Sequence, residues 1–323
     1  MKFFLATIGD QPWHATCLEE WHALADADSV ERHTVTATPE VADRVLFVDL
    51  HQHPHDAFLR GLRQHVLVRQ FPDKVLVYDQ RDRPVRLLSG MYVGGMSQWQ
   101  SSNVVGGPYP YLHNRSIAAL DAEPDLLWSF CGARTHPVRA AVLALPTVDA
   151  EIRDTTSLSM FTGNLDPVEL TTAHDTYAQL LARSKYVLCP RGHGPSSFRL
   201  FETLAAGRVP VIISDSWLPP PGIDWDQCSL RVAQKDVHQI PALLRAQRRT
   251  DWRRMQSAAM ESWRDHFALQ RLWDYIADSL VGLDARRVHP LWWLTPHALR
   301  LRIAHGRASL RRVRAANSPK VAG

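Results

Sequence analysis

The sequence predicts an α/β protein with two halves, each a parallel sheet covered by helices. Three observations support this prediction. Short runs of β-branched and aliphatic residues alternate with helical stretches along the chain, a pattern typical of parallel sheets. The 323 residues are 45% hydrophobic and 22% charged, which is typical of a globular chain of about two domains. No apolar run approaches the ~20 residues that span a bilayer.

The first half contains three apolar runs with helical stretches between them. We expect strands at Lys2–Ile8, Arg44–Leu50 and Lys74–Tyr78, and helices at residues 15–25 and 57–64. Residues 89–114 are rich in Gly, Ser, Pro and Tyr without a clear period, which predicts long loops. These elements form the first expected domain, residues 1–124.

The second half, residues 125–284, opens with a continuous apolar strand. The same patterns predict strands at residues 126–131, 186–189, 210–214 and 229–232, and helices at residues 137–145, 171–183, 197–206, 240–247 and 251–280. In two doubly wound halves, a ligand binds in the crevice at the carboxyl ends of the strands.

Charge is distributed unevenly along the chain. The net charge is +4, but the residues after Asp284 include nine Lys and Arg and no acidic residue, so residues 1–284 sum to −5. An acidic body argues against nucleic-acid binding by the folded part. The segment 285–323 has an apolar face surrounded by arginines from Thr295 onward, which favours a helix lying on an anionic membrane surface. A helix docked on the first domain and a disordered end are the alternatives.

The compartment is predicted from the cysteines and the first residues. The four cysteines have no CxxC pairing, which indicates free thiols in a reducing compartment. The apolar start, residues 1–8, suits a first strand better than a signal peptide. We therefore expect a cytoplasmic protein, at most peripheral at the inner face of the plasma membrane.

The segment from Tyr186 to Trp225 contains the most informative pattern. We expect its strand to end at Cys189, since Pro190 cannot continue a ladder. Gly192 and Gly194 let the main chain approach a ligand closely. Ser196 or Ser197 then caps a helix that Gly207 ends. A strand, a glycine loop and a helix N-terminus form an anion site, where Arg191 supplies a permanent charge.

Two charged residues of the following helix indicate what else the site binds. Arg199 and Glu202 lie three apart, on a face different from the expected apolar stripe of Phe198, Phe201 and Ala205. A carboxylate there suits the hydroxyl pair of a ribose, which donates two hydrogen bonds to it. A diphosphate next to sugar hydroxyls describes a nucleotide-sugar. The alternative is an ordinary exposed ion pair beside a common glycine turn.

This segment resembles the exostosin family of glycosyltransferases. The matching residues read CPRGxGxxSxRxxE from Cys189 to Glu202, GxVPVIISD from Gly207 to Asp215, and then LP and IDW. Upstream, Phe130-Cys131-Gly132 with Arg139 is similar to the family's FxG…R segment. The resemblance covers about residues 125–280 and is weak before them. Thr203 replaces the family's usual alanine.

The resemblance implies a GT-B fold, two Rossmann-like halves facing across a cleft. It also implies inverting transfer from a nucleoside diphosphate sugar, usually without a metal. The second half would then hold the donor and the first half the acceptor. The residues expected to bind the donor are Arg134, Arg191, Gly192, Gly194, Ser197, Arg199, Glu202 and Asp215.

An inverting transfer also needs a base for the acceptor hydroxyl. We expect it in the loops after the strands of the first half. The first candidates are His14, Asp49 and His51; Asp10, Asp79 and Asp82 also follow these strands. The histidines at positions 51, 53 and 55 could bind a metal, but no partner cluster accompanies them. We interpret the triplet Asp26-Ala27-Asp28 as surface charge, so we expect no metal and no cofactor.

The sequence therefore predicts an inverting glycosyltransferase. We expect it to move sugar from a UDP-sugar to a glycan or lipid-linked acceptor in cell-surface polysaccharide synthesis. A non-catalytic nucleotide-sugar-binding or scaffold subunit is the alternative, and a retaining GT-B enzyme is a third possibility.

Overall fold

The computed structural model describes residues 1–48, 61–82, 84–112, 114–119, 123–157 and 166–285. The base candidates Asp49 and His51, the histidines at positions 53 and 55, and the basic segment after residue 285 lie outside these ranges. Among the described residues, no helix combines the length and apolar character needed to cross a membrane.

The first half is a six-stranded parallel sheet in the order β2-β1-β3-β4-β5-β6. Its strands are β1 (Lys2–Ala6), β2 (Thr34–Val35), β3 (Arg44–Val48), β4 (Val75–Asp79), β5 (Gly90–Tyr92) and β6 (Val104–Gly106). Helices α1 (Pro12–Asp26) and α2 (Val66–Gln70) and a 3₁₀ turn at Ser97–Trp99 belong to the same half. The region predicted as loops therefore contains β5 and β6. The sequence did not reveal them, because strands of three residues are too short to show a period.

The second half is a five-stranded parallel sheet in the order β11-β10-β9-β7-β8. Its strands are β7 (Leu126–Gly132), β8 (Ala150–Asp154), β9 (Ser184–Pro190), β10 (Val209–Ile213) and β11 (Leu230–Arg231). Its helices are α3 (Pro137–Leu143), α4 (Pro167–Arg183), α5 (Phe198–Ala205), α6 (Trp225–Cys228), a 3₁₀ helix at Gln234–Gln239, α7 (Ile240–Arg245), α8 (Arg249–Ser262) and α9 (Leu269–Val281). Two such halves form the GT-B fold.

Strand β9 runs one residue further than expected. Pro190 pairs with Ile213 of β10, and the N–H of Arg191 donates to the Ile213 carbonyl at 3.1 Å. The missing N–H of Pro190 faces β7, whose pairing with β9 ends at Val187. Proline therefore removes no ladder bond here, and the prediction that the strand ends at Cys189 was wrong.

The predicted long helix 251–280 is broken in two. A π-helical turn at Trp263–Phe267 follows α8, and Ala268 is extended at φ −61° and ψ 147°. Helix α9 then packs on α1 of the first half. There the indole of Trp273 donates to the carbonyl of His33 at 3.0 Å, and Arg32 forms ion pairs with α9. The last helix thus joins the two halves.

The carboxyl ends of the two sheets also meet at main-chain level. The N–H of Ser97 donates to the Ser216 carbonyl at 2.9 Å, and the N–H of Leu218 donates to the Gly95 carbonyl at 3.2 Å. A buried apolar cluster continues across this junction from Phe3 to Tyr275. These contacts bring the loop after β5 against the loop after β10.

Candidate functional site

The loop between β9 and α5, residues 191–197, forms the centre of the site. Ser197 is the N-cap residue of α5, with φ −144° and ψ 129°, but no side chain caps the helix. The expected side-chain cap is therefore absent, and the first N–H groups of α5 keep their capacity to bind an anion. The sequence pattern thus correctly located the loop and the helix start.

Two glycines let this loop lie close to both halves. A Cβ at Gly192 would lie 3.1 Å from a terminal nitrogen of Arg139 and 3.3 Å from Oγ1 of Thr135. A Cβ at Gly194 would lie 2.7 Å from Oδ1 of Asp82 and 2.8 Å from its carbonyl oxygen. The loop is therefore enclosed by a cation and a hydroxyl of the second half and by a carboxylate of the first half.

Arg139 is a partly buried cation whose hydrogen-bond partners, in the part of the chain that the structure describes, are neutral main-chain groups. It donates to the main-chain carbonyls of Arg191 at 3.1 Å, Ala133 at 3.3 Å and Pro190 at 3.4 Å. Among the described residues it has no carboxylate within ion-pair distance. Burial and the nearby charge of Arg199 lower the pKa of the Arg139 guanidinium. The lowered pKa means that the charged guanidinium is destabilised at this position, and a bound anion would offset that destabilisation.

Arg199 lies beside the same loop, over the ring of Phe130 at 4.9 Å, and donates to the carbonyl of Cys131. Its Nε is buried and, among the described residues, has no hydrogen-bond partner. The same holds for Oγ1 of Thr135. Unpaired buried polar atoms are costly, so donors of this kind around a glycine loop suit the binding of a polar ligand.

The side chain of Arg191 lies along the loop. It donates to Oγ of Ser216 at 3.3 Å and to the carbonyl of His193 at 3.4 Å. Arg191 is partly exposed, so its guanidinium borders the crevice between the halves. This position is compatible with the phosphate contact expected for it.

Glu202 lies one turn further along α5 and is only 7% exposed. Its Oε2 accepts a hydrogen bond from the hydroxyl of Tyr177 at 2.8 Å. Burial raises the pKa of Glu202, while the Tyr177 hydrogen bond and the charge of Arg199 act against that rise. The alternative of an exposed Arg199–Glu202 ion pair was therefore wrong, since Glu202 is a buried carboxyl bonded to tyrosine.

The predicted apolar stripe of α5 is only partly correct. Phe201 and Ala205 are buried, whereas Phe198 is half-exposed and stacks on Tyr109 of the first half, with ring centroids 3.5 Å apart. The helix therefore faces the other half as well as its own sheet.

Two expected donor contacts already have protein partners. Asp215 is exposed and accepts from the main chain and the amide of Gln234 at 2.9 and 3.0 Å, and these bonds lower its pKa. Arg134 is exposed and pairs with Asp154 at 2.9 Å. Both residues lie at the carboxyl ends of their strands, on the side of the sheet where the loop lies.

The base candidates of the first half lie in very different surroundings. His14 is buried in α1, where its Nδ1 accepts from the N–H of Gln11 at 3.0 Å, and burial lowers its pKa. Asp79 is buried in an ion pair with Arg81. Asp82, with a side chain 55% exposed, lies 4.0 Å from Nδ1 of His193 in the donor loop. Of these three carboxyl and imidazole groups, only Asp82 borders the loop.

The interpretation of Asp26-Ala27-Asp28 as surface charge was wrong for Asp28. That residue is buried, and its Oδ2 accepts from the N–H groups of Val30 at 3.2 Å and Glu31 at 2.8 Å. It stabilises the turn after α1. Among the described residues, no group of three or more His, Cys, Asp or Glu side chains is arranged to hold a metal ion.

Sequence reasoning missed Tyr177 and Thr135 as part of this site. Tyr177 precedes Glu202 by 25 residues, and nothing in its helical pattern separates it from a core residue. Thr135 follows β7 directly, a position from which a polar side chain could have been suspected.

Known proteins with similar sequences include an exostosin homologue and two plant proteins named as glycosyltransferases. The chain is 38% identical over 114 residues to "Exostosin-1 homolog" of Caenorhabditis elegans, which is 35% of this chain and 29% of that one. It is 46% identical over 70 residues to "Probable glucuronoxylan glucuronosyltransferase IRX7" of Arabidopsis thaliana, 21% and 16% of the two chains. "Probable beta-1,4-xylosyltransferase IRX10" of the same plant is 37% identical over 79 residues, 24% and 19%. The chain therefore matches less than a third of each relative.

A solved structure, "Crystal Structure of WaaG, a glycosyltransferase involved in lipopolysaccharide biosynthesis", superposes with a TM-score of 0.35 and 10% identity over 87% of this chain and 100% of that one. That likeness is too low to add to what the sheet topology shows.

The family match is much longer than these pairwise matches. A family model of the exostosin GT47 domain matches residues 32–247. The match begins well inside the first half, where the sequence resemblance was weak. Because it spans most of both sheets and the whole donor loop, the chain belongs to the exostosin GT47 family.

Proposed function

We propose that this protein is an inverting glycosyltransferase that uses a nucleoside diphosphate sugar, a UDP-sugar in the first instance. The observation that supports it best is the Arg139 cation beside Gly192 and the start of α5; within the described residues, this cation has no carboxylate partner and this helix start has no side-chain cap. Glu202 lies one turn away, as a nucleotide's ribose requires. The relatives' names, glucuronosyltransferase and xylosyltransferase, support sugar transfer.

The arginines would stabilise the departing diphosphate. As the bond to the sugar breaks, negative charge grows on the phosphate oxygens, and fixed cations and N–H groups lower the energy of that state. Arg139, Arg191 and Arg199 are all oriented by main-chain carbonyls, so their charges need little reorganisation. We propose that these charges suffice without a metal or other cofactor; activity should then survive EDTA.

Asp82 is the base that the geometry favours. It follows β4 in the first half, touches the donor loop at Gly194, and its side chain is half-exposed to the crevice. A carboxylate there can accept the proton of an acceptor hydroxyl that enters from the first half. His14 is already bonded to the start of α1, which makes it a weaker candidate in this conformation.

The test separates an enzyme from a binding subunit. A thermal-shift screen with UDP, GDP, CDP and their sugars should give stabilisation by one nucleotide class, about 2.7 kcal/mol at 100-fold excess over Kd. The same protein should hydrolyse the donor slowly and release free nucleotide. If a nucleotide stabilises the protein but no nucleotide is released from its sugar, with or without acceptor glycans, the scaffold alternative is indicated. If none of the nucleotides or nucleotide-sugars stabilises the protein, the proposal is contradicted.

The acceptor and the cellular site belong to the same proposal. We propose a glycan or lipid-linked acceptor of cell-surface polysaccharide synthesis, reached at the cytoplasmic face through the basic segment 285–323. The nine cations of that segment suit anionic lipids. Truncation after Asp284 should abolish binding to vesicles containing phosphatidylglycerol, and vesicle binding that survives truncation would contradict this part.

A further inference from the structure

Tyr177 lies on α4, outside every motif that identifies the family resemblance. It is 8% exposed, and its hydroxyl donates to Oε2 of Glu202 at 2.8 Å. We propose that Tyr177 is a positioning residue for nucleotide recognition: it occupies one oxygen of Glu202 and directs the other, Oε1, to the ribose hydroxyls. This inference rests on the function proposed above.

The hydrogen bond has a fixed direction. Burial, and the nearby charge of Glu202, raise the pKa of Tyr177 far above its ordinary value, so the phenol keeps its proton at neutral pH. An ionised Glu202 has no proton to donate, so in that form it accepts the hydrogen bond from Tyr177. Burial disfavours that ionised form, and the Tyr177 hydrogen bond, together with Arg199, favours it.

The remaining oxygen is open to a ligand. Among the described residues no hydrogen bond reaches Oε1 of Glu202, whereas Oε2 is taken by Tyr177. One carboxylate oxygen has two lone pairs and can accept from two hydroxyls. Both ribose hydroxyls can therefore bind at Oε1, which modifies the simpler idea of a carboxylate with both oxygens free.

Rigidity makes Tyr177 suitable for this role. Helix α4 packs on β7 and β9, so the tyrosine is anchored in the sheet that also carries the donor loop. The terminal torsion of a glutamate is broad, and a carboxylate without this hydrogen bond would sample several orientations. Holding it in advance lowers the entropy cost when the nucleotide binds.

The alternative is that Tyr177 only fills the core, in which case phenylalanine would serve equally. Tyr186 on β9 provides the matched control. It is 1% exposed, and among the described residues its hydroxyl has no hydrogen-bond partner. Removing that hydroxyl changes the same chemical group in the same half without touching Glu202.

The experiment measures how strongly the protein distinguishes UDP from 2′-deoxy-UDP and 3′-deoxy-UDP, by calorimetry on the full chain. Wild type should prefer UDP to at least one of them by about tenfold or more, the range of one hydrogen bond to a charged group. Tyr177→Phe should reduce that preference by about threefold or more, and Tyr186→Phe should leave it unchanged. A preference retained in Tyr177→Phe overturns the inference.

The outcomes also separate this inference from the proposed function. Failure of the wild type to bind UDP or another nucleoside diphosphate contradicts the function itself. Equal binding of UDP and both deoxy forms contradicts the ribose contact of Glu202, and the inference with it. If Tyr177→Phe does not fold, 3-fluorotyrosine at position 177 keeps the shape. Its ¹⁹F resonance should shift with UDP and shift less with the deoxy form that binds more weakly, and identical shifts overturn the inference.

Discussion

Gly194→Ala tests whether the first half contacts the donor loop. An added Cβ would lie 2.7 Å from Oδ1, 2.8 Å from the carbonyl oxygen and 2.9 Å from Cα of Asp82. Two of these atoms belong to the main chain, so rotation of the Asp82 side chain cannot relieve the overlap. The loop or the neighbouring half must move, which costs about 1–3 kcal/mol. Alanine also restricts the unfolded chain, which returns about 0.4–1 kcal/mol.

The net loss expected for Gly194→Ala is about 1–2 kcal/mol. An unfolding entropy of about 2.1 cal/mol/K per residue converts this loss to a fall in Tm of about 2–3 °C for a chain of this size. Calorimetry of both variants measures it, with Gly282→Ala as the control. Gly282 has φ −76° and, counting only described residues, nothing within 4 Å of an added Cβ, so its variant should be neutral or slightly stabilised. The reasoning is refuted if Gly194→Ala melts like wild type and binds UDP equally well.

Three further predictions concern the chemistry of the loop. Arg191→Ala should weaken UDP about tenfold or more while changing uridine little, because it removes a charge-assisted bond to phosphate; titration with both ligands checks this, and an equal loss would misplace the phosphates. UDP affinity, titrated against pH, should fall on acidification at a pH above the ordinary glutamate range, because burial raises the pKa of Glu202 and protonation removes the acceptor. Glu202→Gln should lack this fall and keep the one that protonation of the diphosphate causes. Asp82→Asn should lower kcat about 100-fold or more with UDP affinity kept, whereas unchanged turnover would remove it as the base.

The sequence predicted the layers of the fold better than their details. Apolar runs located β1, β3, β4, β7, β9 and β10, because buried parallel strands are continuously hydrophobic. The short strands β5 and β6 carry too few residues for such a signal. The break at Trp263–Phe267 was missed because the amphipathic pattern continues through it. The ring of Phe267 packs against Phe201 and Trp225, contacts between distant residues that no local pattern contains.

The candidate site was predictable where one segment supplies it. The donor loop, Arg191 and the start of α5 follow one another in the chain, so their proximity is local. The contact between Asp82 and Gly194, and the bond from Tyr177 to Glu202, join residues far apart in sequence. The first contact depends on how the two halves meet, and sequence could offer only a set of candidates for it. The second depends on how α4 and α5 pack on the same sheet, and sequence offered no signal for it.

A crystal structure of the full chain with UDP tests the central claim most directly. The account predicts phosphate oxygens within hydrogen-bond distance of the loop N–H groups and Arg139, with a ribose hydroxyl on Oε1 of Glu202. A nucleotide bound at another place, with residues 191–197 unliganded, would contradict it.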